Sequence, residues 1–236
     1  APVGDWRLGA LAGYSATSFS VGDRASSGSS ESYHVGLYGG RQWGALGFRS
    51  GLAYSWNDID TSRSVSIPGF GDRLTGKYNA GLLQAFGELG YRIDTPAIAF
   101  EPFANLAYVS LHTDGFTEQG GAAALSASGM STDTTFTTLG LRGSLPFGLG
   151  GITGTLRGTI GWRHAFGDTT PLSTLSFAGS DAFTIAGVPI AKDAAVFDAG
   201  LDLNLSPTAT FGIGYQGQFS DGANRNGFNA KLSVKF

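Results

Sequence analysis

The chain has 236 residues, enough for one large all-β domain or two small ones, and only 14% of them are charged, against about a quarter in ordinary soluble domains. The net charge of −3 and the lack of a basic block argue against nucleic acid as a partner, and the absence of cysteine excludes disulfides and thiolate metal sites. The longest apolar runs, such as residues 97–100, are far shorter than the roughly 20 residues of a membrane-spanning helix, so a membrane location would require a β-barrel.

Apolar and polar residues alternate with a period of two along most of the chain, which predicts β-strands with one apolar and one polar face. In the first strand, Trp6, Leu8 and Tyr14 share one face, while Arg7 and Ser15 share the other. We expect ten strands, each able to cross a bilayer at a tilt of about 45°. They cover residues 6–17, 33–38, 46–56, 77–92, 97–112, 134–145, 151–166, 194–205, 208–219 and 226–236.

Short and long connections alternate along the chain. Tight turns are predicted at 43–44, 94–96, 146–151 and 206–207. Long polar loops are predicted at 20–31, 58–75, 113–133 and 167–193, with a shorter one at 221–225. Outer-membrane barrels carry periplasmic turns on one rim and longer extracellular loops on the other. The length of the strands and the alternation of short and long connections therefore predict an all-β, antiparallel transmembrane barrel of the bacterial outer membrane. Its long loops would be extracellular and its C-terminus periplasmic.

Twelve charged residues lie on the faces opposite the apolar ones. They are the bases Arg7, Arg49, Arg92, Arg142, Arg157, Arg163, Lys231 and Lys235 and the acids Glu88, Glu101, Asp198 and Asp202. A charge facing lipid at the midplane costs about 2–4 kcal/mol, so we expect these residues to line the lumen and to form acid–base pairs across neighbouring strands. A soluble sandwich would segregate its charges in the same way. The length of the strands and the alternation of short and long connections therefore decide between the sandwich and the membrane barrel.

The chain ends on the alternating stretch NGFNAKLSVKF, with Phe228, Leu232, Val234 and Phe236 on its apolar face. Such a terminal aromatic strand resembles the signal by which the bacterial outer-membrane assembly machinery recognises its substrates. We interpret these four residues as a membrane-assembly signal. Phe236 is alternatively an interfacial aromatic like Trp6, and both interpretations can hold for one residue.

No motif indicates an enzyme, a cofactor or a metal site. The string at 212–217 matches G-x-G-x-x-G but lies inside one strand, without the helix and downstream acid of a dinucleotide site. His34, His112 and His164 have no carboxylate at ligand spacing, and no G-x-S-x-G nucleophile elbow occurs. The four lumen acids could be catalytic carboxylates, but such acids more often pair with arginines.

Several stretches, in order, resemble the C-terminal translocator (β-domain) of classical monomeric autotransporters, the type V secretion proteins of Gram-negative bacteria. They are FEPFANLAYVSLHTDGFTEQGG, LGLRG, GWRHAFGD, AGVPIAKDAAVFDAGLDLNLSP and GYQGQFSDGANRNGF, followed by the terminal strand. The resemblance implies a barrel in the outer membrane, inserted by the assembly machinery as a monomer, that anchors and exports its own N-terminal passenger. In some relatives a lumen acid assists cleavage of the passenger in the linker. That role would fall to Glu88, Glu101, Asp198 or Asp202, of which Glu88 and Glu101 rank first because their strands are adjacent.

The sequence departs from this family in strand number. Family barrels have twelve strands and a helix threading the lumen, whereas we count ten strands here. Residues 172–177 and 183–190 are strand-like but short, and we expect them to form a hairpin above the membrane. We expect the chain to be a single translocator domain, a mature protein or C-terminal fragment of a longer one, because no signal peptide opens it. A passive pore or a surface adhesin built on the same barrel is the alternative function.

Overall fold

The computed structural model describes residues 2–22 and 25–235, and these form one large and one small antiparallel sheet. The strands are β1 (Pro2–Val3), β2 (Trp6–Val21), β3 (Ser26–Trp43), β4 (Leu46–Ile67), β5 (Phe70–Tyr91), β6 (Ile93–Asp94), β7 (Ala99–Thr113), β8 (Phe116–Thr117), β9 (Leu125–Ala127), β10 (Met130–Leu149), β11 (Ile152–Gly167), β12 (Leu172–Phe177), β13 (Phe183–Ala186), β14 (Asp193–Asn204), β15 (Ala209–Ser220) and β16 (Ala223–Val234). Within these ranges, no helix combines the length and apolarity needed to cross a membrane.

Ten strands of 12 to 22 residues form the large sheet, and each pairs with the long strand before and after it in the chain. Their order is β2-β3-β4-β5-β7-β10-β11-β14-β15-β16, and this up-and-down meander confirms the ten predicted strands and the antiparallel class. The sheet curls into the outer-membrane β-barrel fold. In the described part of the chain, no ladder joins β16 to β2. On its other side β2 pairs only with the two-residue β1, at Trp6 and Arg7, so the rest of β2 and the whole of β16 each leave one edge of the sheet free.

The sheet is inverted relative to a soluble protein, because its large apolar side chains point outward. Leu37 is 66% exposed and Ile160 59%, whereas the carboxylate-bearing Glu88 on the concave face is only 7% exposed. An apolar outer surface of this extent is stable only when hydrocarbon covers it.

Aromatic side chains mark two levels on the outer face. Trp6 packs edge-on against Trp43 and Phe48 near the short turns, and Tyr14 packs against Tyr33 at the other level. The two levels are separated along β2 by roughly 20 Å at a strand rise of about 3.3 Å and a typical tilt. This spacing matches an apolar belt with an aromatic girdle at each interface.

The expectation of long loops at 20–31 and 58–75 is wrong. The ladder between β2 and β3 continues to Val21↔Ser26, and that between β4 and β5 continues to Ile67↔Phe70. The serine- and threonine-rich composition of these segments indicates contact with water, but water does not interrupt a strand whose backbone groups are paired. The segments are therefore strand extensions rather than loops.

The loops 113–133 and 167–193 join in the small sheet, whose order is β13-β12-β9-β8. The predicted hairpin is confirmed for β12 and β13, which pair from Leu172↔Ala186 to Leu175↔Phe183. Its second strand ends at Ala186 rather than at residue 190, because Pro189 has no N–H for a ladder and Ile190 instead donates to the Thr169 carbonyl.

A half-buried ion pair attaches the 113–133 loop to the β4–β5 hairpin. Arg63 Nη2 lies 2.6 Å from Glu118 Oε2 and also donates to the Ala123 carbonyl at 2.6 Å. The amide of Leu125 donates to the same carboxylate, and the ring of Phe116 stacks 4.4 Å from that of Tyr78. The loop is thus held by hydrogen bonds and ring packing in addition to its own ladder.

We predict that Arg63→Gln loosens this loop. The change removes the main partner of the Glu118 carboxylate. Breaking an ion pair that lies out of water destabilises the fold by about 3 kcal/mol. Amide hydrogen exchange over residues 116–127 should accelerate accordingly. Lys77→Gln is the matched control on the same hairpin, since Lys77 pairs with Asp60 at 2.8 Å but the two side chains are 83% and 54% exposed. Such a pair contributes about 0–1 kcal/mol, so equal acceleration in both variants would contradict the role given to Arg63.

Candidate functional site

The candidate site is the concave polar face of the large sheet, and the register of the strands builds it. Arg49 of β4 is paired with Glu88 of β5, and Glu101 of β7 with Arg142 of β10. Residues paired in an antiparallel ladder point to the same side of the sheet. The alternation seen in the sequence therefore brings these charges onto one face.

These four residues form a closed ion cluster. Arg49 Nη1 donates to Glu88 Oε1 at 2.8 Å and to Glu101 Oε1 at 2.6 Å. Arg142 Nη2 donates to Glu88 Oε2 at 2.6 Å, and its Nη1 donates to Glu101 Oε1 at 3.0 Å. Arg49 thereby reaches over β5 to β7, and Arg142 reaches over β7 to β5. Next-but-one strands lie about 9.5 Å apart in a flat sheet, and an arginine and a glutamate are together long enough to bridge that distance.

An aromatic ring supports the cluster from the same face. The Arg142 guanidinium lies 3.8 Å from the ring centroid of Phe103, which is 8% exposed. This ring occupies the space above Gly140, where an added Cβ would approach it to 2.7 Å. The glycine thus admits the ring, and the ring holds the guanidinium in a cation–π contact.

The other predicted lumen residues are spread over the same face. Arg157 Nη2 lies 2.6 Å from Asp202 Oδ2 on the neighbouring strand. Arg163 donates to Thr138 and to Gln218. Arg92 pairs with Asp94 at the rim, a partner that the sequence did not identify. The predicted pairing of acids with bases is thus present for Glu88, Glu101 and Asp202.

Asp198 differs from the other three acids. It is half-buried, it lies between Thr159 and Gln216 in register, and no hydrogen bond or ion pair to another described residue holds its carboxylate. The guanidinium groups of Arg142 and Arg163 attract it only at longer range. Asp198 faces a cavity of about 700 Å³ on the concave face, which the ion cluster, Asp202 and Lys231 also line.

Three of the predicted bases have no side-chain partner among the described residues. Arg7 lies opposite Gly40, Lys231 lies opposite Gly212, and Lys235 follows the end of β16. Because the ion cluster is neutral, these bases leave the concave face with excess positive charge. In the described chain, no group of three or more metal-binding side chains is assembled.

The proposed assembly-signal residues lie on the outer face of β16. Phe228 is 86% exposed, Leu232 64% and Val234 57%, and the ring of Phe228 contacts that of Tyr215 at 5.2 Å. Phe236 lies outside the described residues.

Two residues of the concave face were missed in the sequence. Arg225 pairs with Gln218 and therefore shares the face of Arg163, whereas the sequence pattern predicts a loop at 221–225. Its even spacing from Lys231 along the same strand could have revealed it. Phe103 was missed because a polar face is not expected to carry a phenyl ring.

Comparisons with known proteins agree with this architecture. A family model described as "Autotransporter beta-domain" matches residues 1–216. Two proteins of Serratia marcescens, both named "Extracellular serine protease", are 42% and 40% identical over 99% and 98% of the chain. The chain spans 22% of the length of each of these curated relatives.

Solved structures show the same fold. The translocator domain of the autotransporter NalP from Neisseria meningitidis superposes with a TM-score of 0.78 at 17% identity, over 98% of this chain and 75% of that one. The β-domain of the Bordetella autotransporter BrkA gives a TM-score of 0.70 at 20% identity, over 98% and 84%. The match of the family model over nearly the whole chain, together with relatives at 42% and 40% identity, shows that this chain belongs to the autotransporter β-domain family.

Proposed function

We propose that this chain is an outer-membrane translocator that anchors and exports its own N-terminal passenger domain. The observation that carries this function is the combination of family membership with a polar, cavity-bearing concave face inside an apolar outer surface. Such a barrel offers a polypeptide a hydrated path across the hydrocarbon layer. The excess bases on that face would attract acidic segments of a passing chain.

We further propose that the chain is one translocator domain of a longer protein and is not itself an enzyme. The curated relatives carry the name of a protease, but this chain corresponds to 22% of their length. The free edges of the sheet, along β16 and along β2 beyond its short pairing with β1, also favour additional strands, because open edges in lipid leave backbone groups without partners. Two further strands would bring the count to the twelve that the resemblance implies.

The orientation, the assembly route and the oligomeric state are parts of the same proposal. The strand extensions and the small sheet all lie at one rim of the large sheet, and we place this rim on the extracellular side. The short turns at the opposite rim then lie on the periplasmic side. The exposed apolar face of β16 suits recognition by the outer-membrane assembly machinery. A single barrel of this kind would function as a monomer.

A passive pore or a surface adhesin is the alternative, favoured by the cavity and the ordered small sheet. The full-length protein distinguishes them, because only a translocator moves what precedes it across the membrane. Protease added to intact cells should degrade the N-terminal part of the full-length protein while the barrel stays heat-modifiable on gels. An N-terminal part that stays protected while the barrel is inserted would contradict export and favour the pore or adhesin.

We propose that any lumen acid assisting passenger release is Asp198 rather than Glu88 or Glu101. Each carboxylate of the ion cluster is engaged by two arginines, so its lone pairs are occupied and its loss would disturb the barrel. Asp198 faces the cavity with free oxygens, as a group that positions or deprotonates a nucleophile must.

We predict that Asp198→Asn in the full-length protein slows release of the passenger about a hundredfold, the scale of general acid–base catalysis. Asp202→Asn is the matched control, because that carboxylate is held by Arg157 on the adjacent strand. Gel analysis of pulse-labelled cells would measure release, and heat-modifiable migration would confirm insertion. If these two variants and the variants Glu88→Gln and Glu101→Gln all insert and cleave at the wild-type rate, the four acids are structural ion partners only.

A further inference from the structure

One base lies on the outer, lipid-facing side of the barrel near the short turns. Arg41 of β3 is paired with Trp6 of β2 on one side and with Phe48 of β4 on the other, so it shares the face of these aromatic residues. Its guanidinium lies 5.2 Å from the ring centroid of Trp43, two residues further along β3. Because described strands flank Arg41 on both sides, a strand added beside β2 would not cover it.

The hydrogen-bonding capacity of Arg41 is largely unused. Its Nη2 donates to Asp5 Oδ2 at 2.6 Å, and this is its only hydrogen bond to a described residue. Its Nε is buried without any partner, the one such side-chain atom in the described chain. The carboxylate of Asp5 is 72% exposed, so water weakens its hold on the guanidinium.

We propose that Arg41 binds the phosphate of a phospholipid headgroup, seated among Trp6, Trp43 and Phe48. Arginine presents a planar fork of donors that matches phosphate oxygens, and the level of these aromatic rings is the level of the headgroups. In the orientation of the proposed function this is the periplasmic leaflet.

The apolar surface above the site favours a lipid over a free anion. Leu8, Leu37 and Leu52 continue the outer face of the same three strands toward the membrane centre and are 46%, 66% and 53% exposed. An acyl chain attached to the bound phosphate would lie along them. Inorganic phosphate would gain nothing from these side chains.

Lipid retention by the full-length protein tests the site. The protein would be purified in a phosphate-free detergent, mixed with phosphatidylglycerol or with diacylglycerol of the same chain length, and analysed by native mass spectrometry. Arg41→Gln should lower retention of phosphatidylglycerol about fivefold, as expected for one basic side chain at a lipid surface. Arg7→Gln is the matched control, because Arg7 lies opposite Gly40, one residue from Arg41, and faces the concave side. It should leave retention unchanged, and diacylglycerol should be retained weakly by all forms.

Three outcomes would overturn the proposal. Equal retention by the wild type and Arg41→Gln would remove Arg41 from lipid binding. Equal losses in the two arginine variants would indicate general charge attraction. Displacement of the lipid by millimolar inorganic phosphate would make this a free-phosphate site. Heat-modifiable migration would verify folding of each variant, and since retention does not depend on passenger export, failure here leaves the translocator function separately testable.

Discussion

Hydrocarbon offers no hydrogen-bond partner to a peptide group, and the continuous antiparallel ladder through the ten long strands meets this constraint everywhere except along the free edges of β2 and β16. The remaining features follow from it. A ladder of this length places alternate side chains on opposite faces, so an apolar outer face requires that the polar residues be gathered inside. The concave face thereby becomes the only place in the membrane-spanning segments where charges can lie without facing lipid.

Gathering charges inside has its own energetic cost, which the ion cluster offsets. Two arginines and two glutamates bridge β4, β5, β7 and β10, so each charge has two opposite partners and the cluster is neutral. Removing one member would leave its partners partly desolvated, which is why such clusters tolerate substitution poorly. By joining next-but-one strands, the cluster also favours the curled sheet over a flat one. Asp198 lies outside this network, and so its carboxylate is the acid most available for chemistry or for a passing chain.

Much of the fold could be predicted because the period of two determines both strand and face. The ten strands and the faces of Arg49, Glu88, Glu101 and Arg142 follow from the alternation of apolar and polar residues. The meander order follows from the connections between successive strands, most of which are short. Strand ends could not be predicted in the same way. Residues 20–31 and 58–75 are polar, and polarity marks the edge of the lipid but not the end of a ladder. The assembly of residues 113–133 and 172–186 into one small sheet depends on contacts distant in sequence, such as the pairing of Leu125 with Phe177.

The sequence predicted which residues share the concave face, but it did not predict which of them contact each other. Neighbouring pairs such as Arg157 and Asp202 follow from register. The contact of Arg142 with Glu88, across the intervening strand, depends on the side-chain conformations of both residues, and the freedom of Asp198 depends on where the nearby guanidinium groups point. Neither property is encoded in a local pattern.

The central claim, that the two faces of each strand meet water and lipid respectively, is tested most directly by thiol accessibility. The chain has no native cysteine, so single substitutions report one position each. Thr159 lines the concave cavity, and Ile160, the next residue of β11, is 59% exposed on the outer face. In outer-membrane vesicles, a charged, water-soluble maleimide should modify Thr159→Cys and spare Ile160→Cys. A lipid-soluble maleimide should modify Ile160→Cys preferentially. In denaturant, the two variants should be modified at equal rates. Rapid modification of Ile160→Cys by the charged reagent in intact membranes would contradict the account.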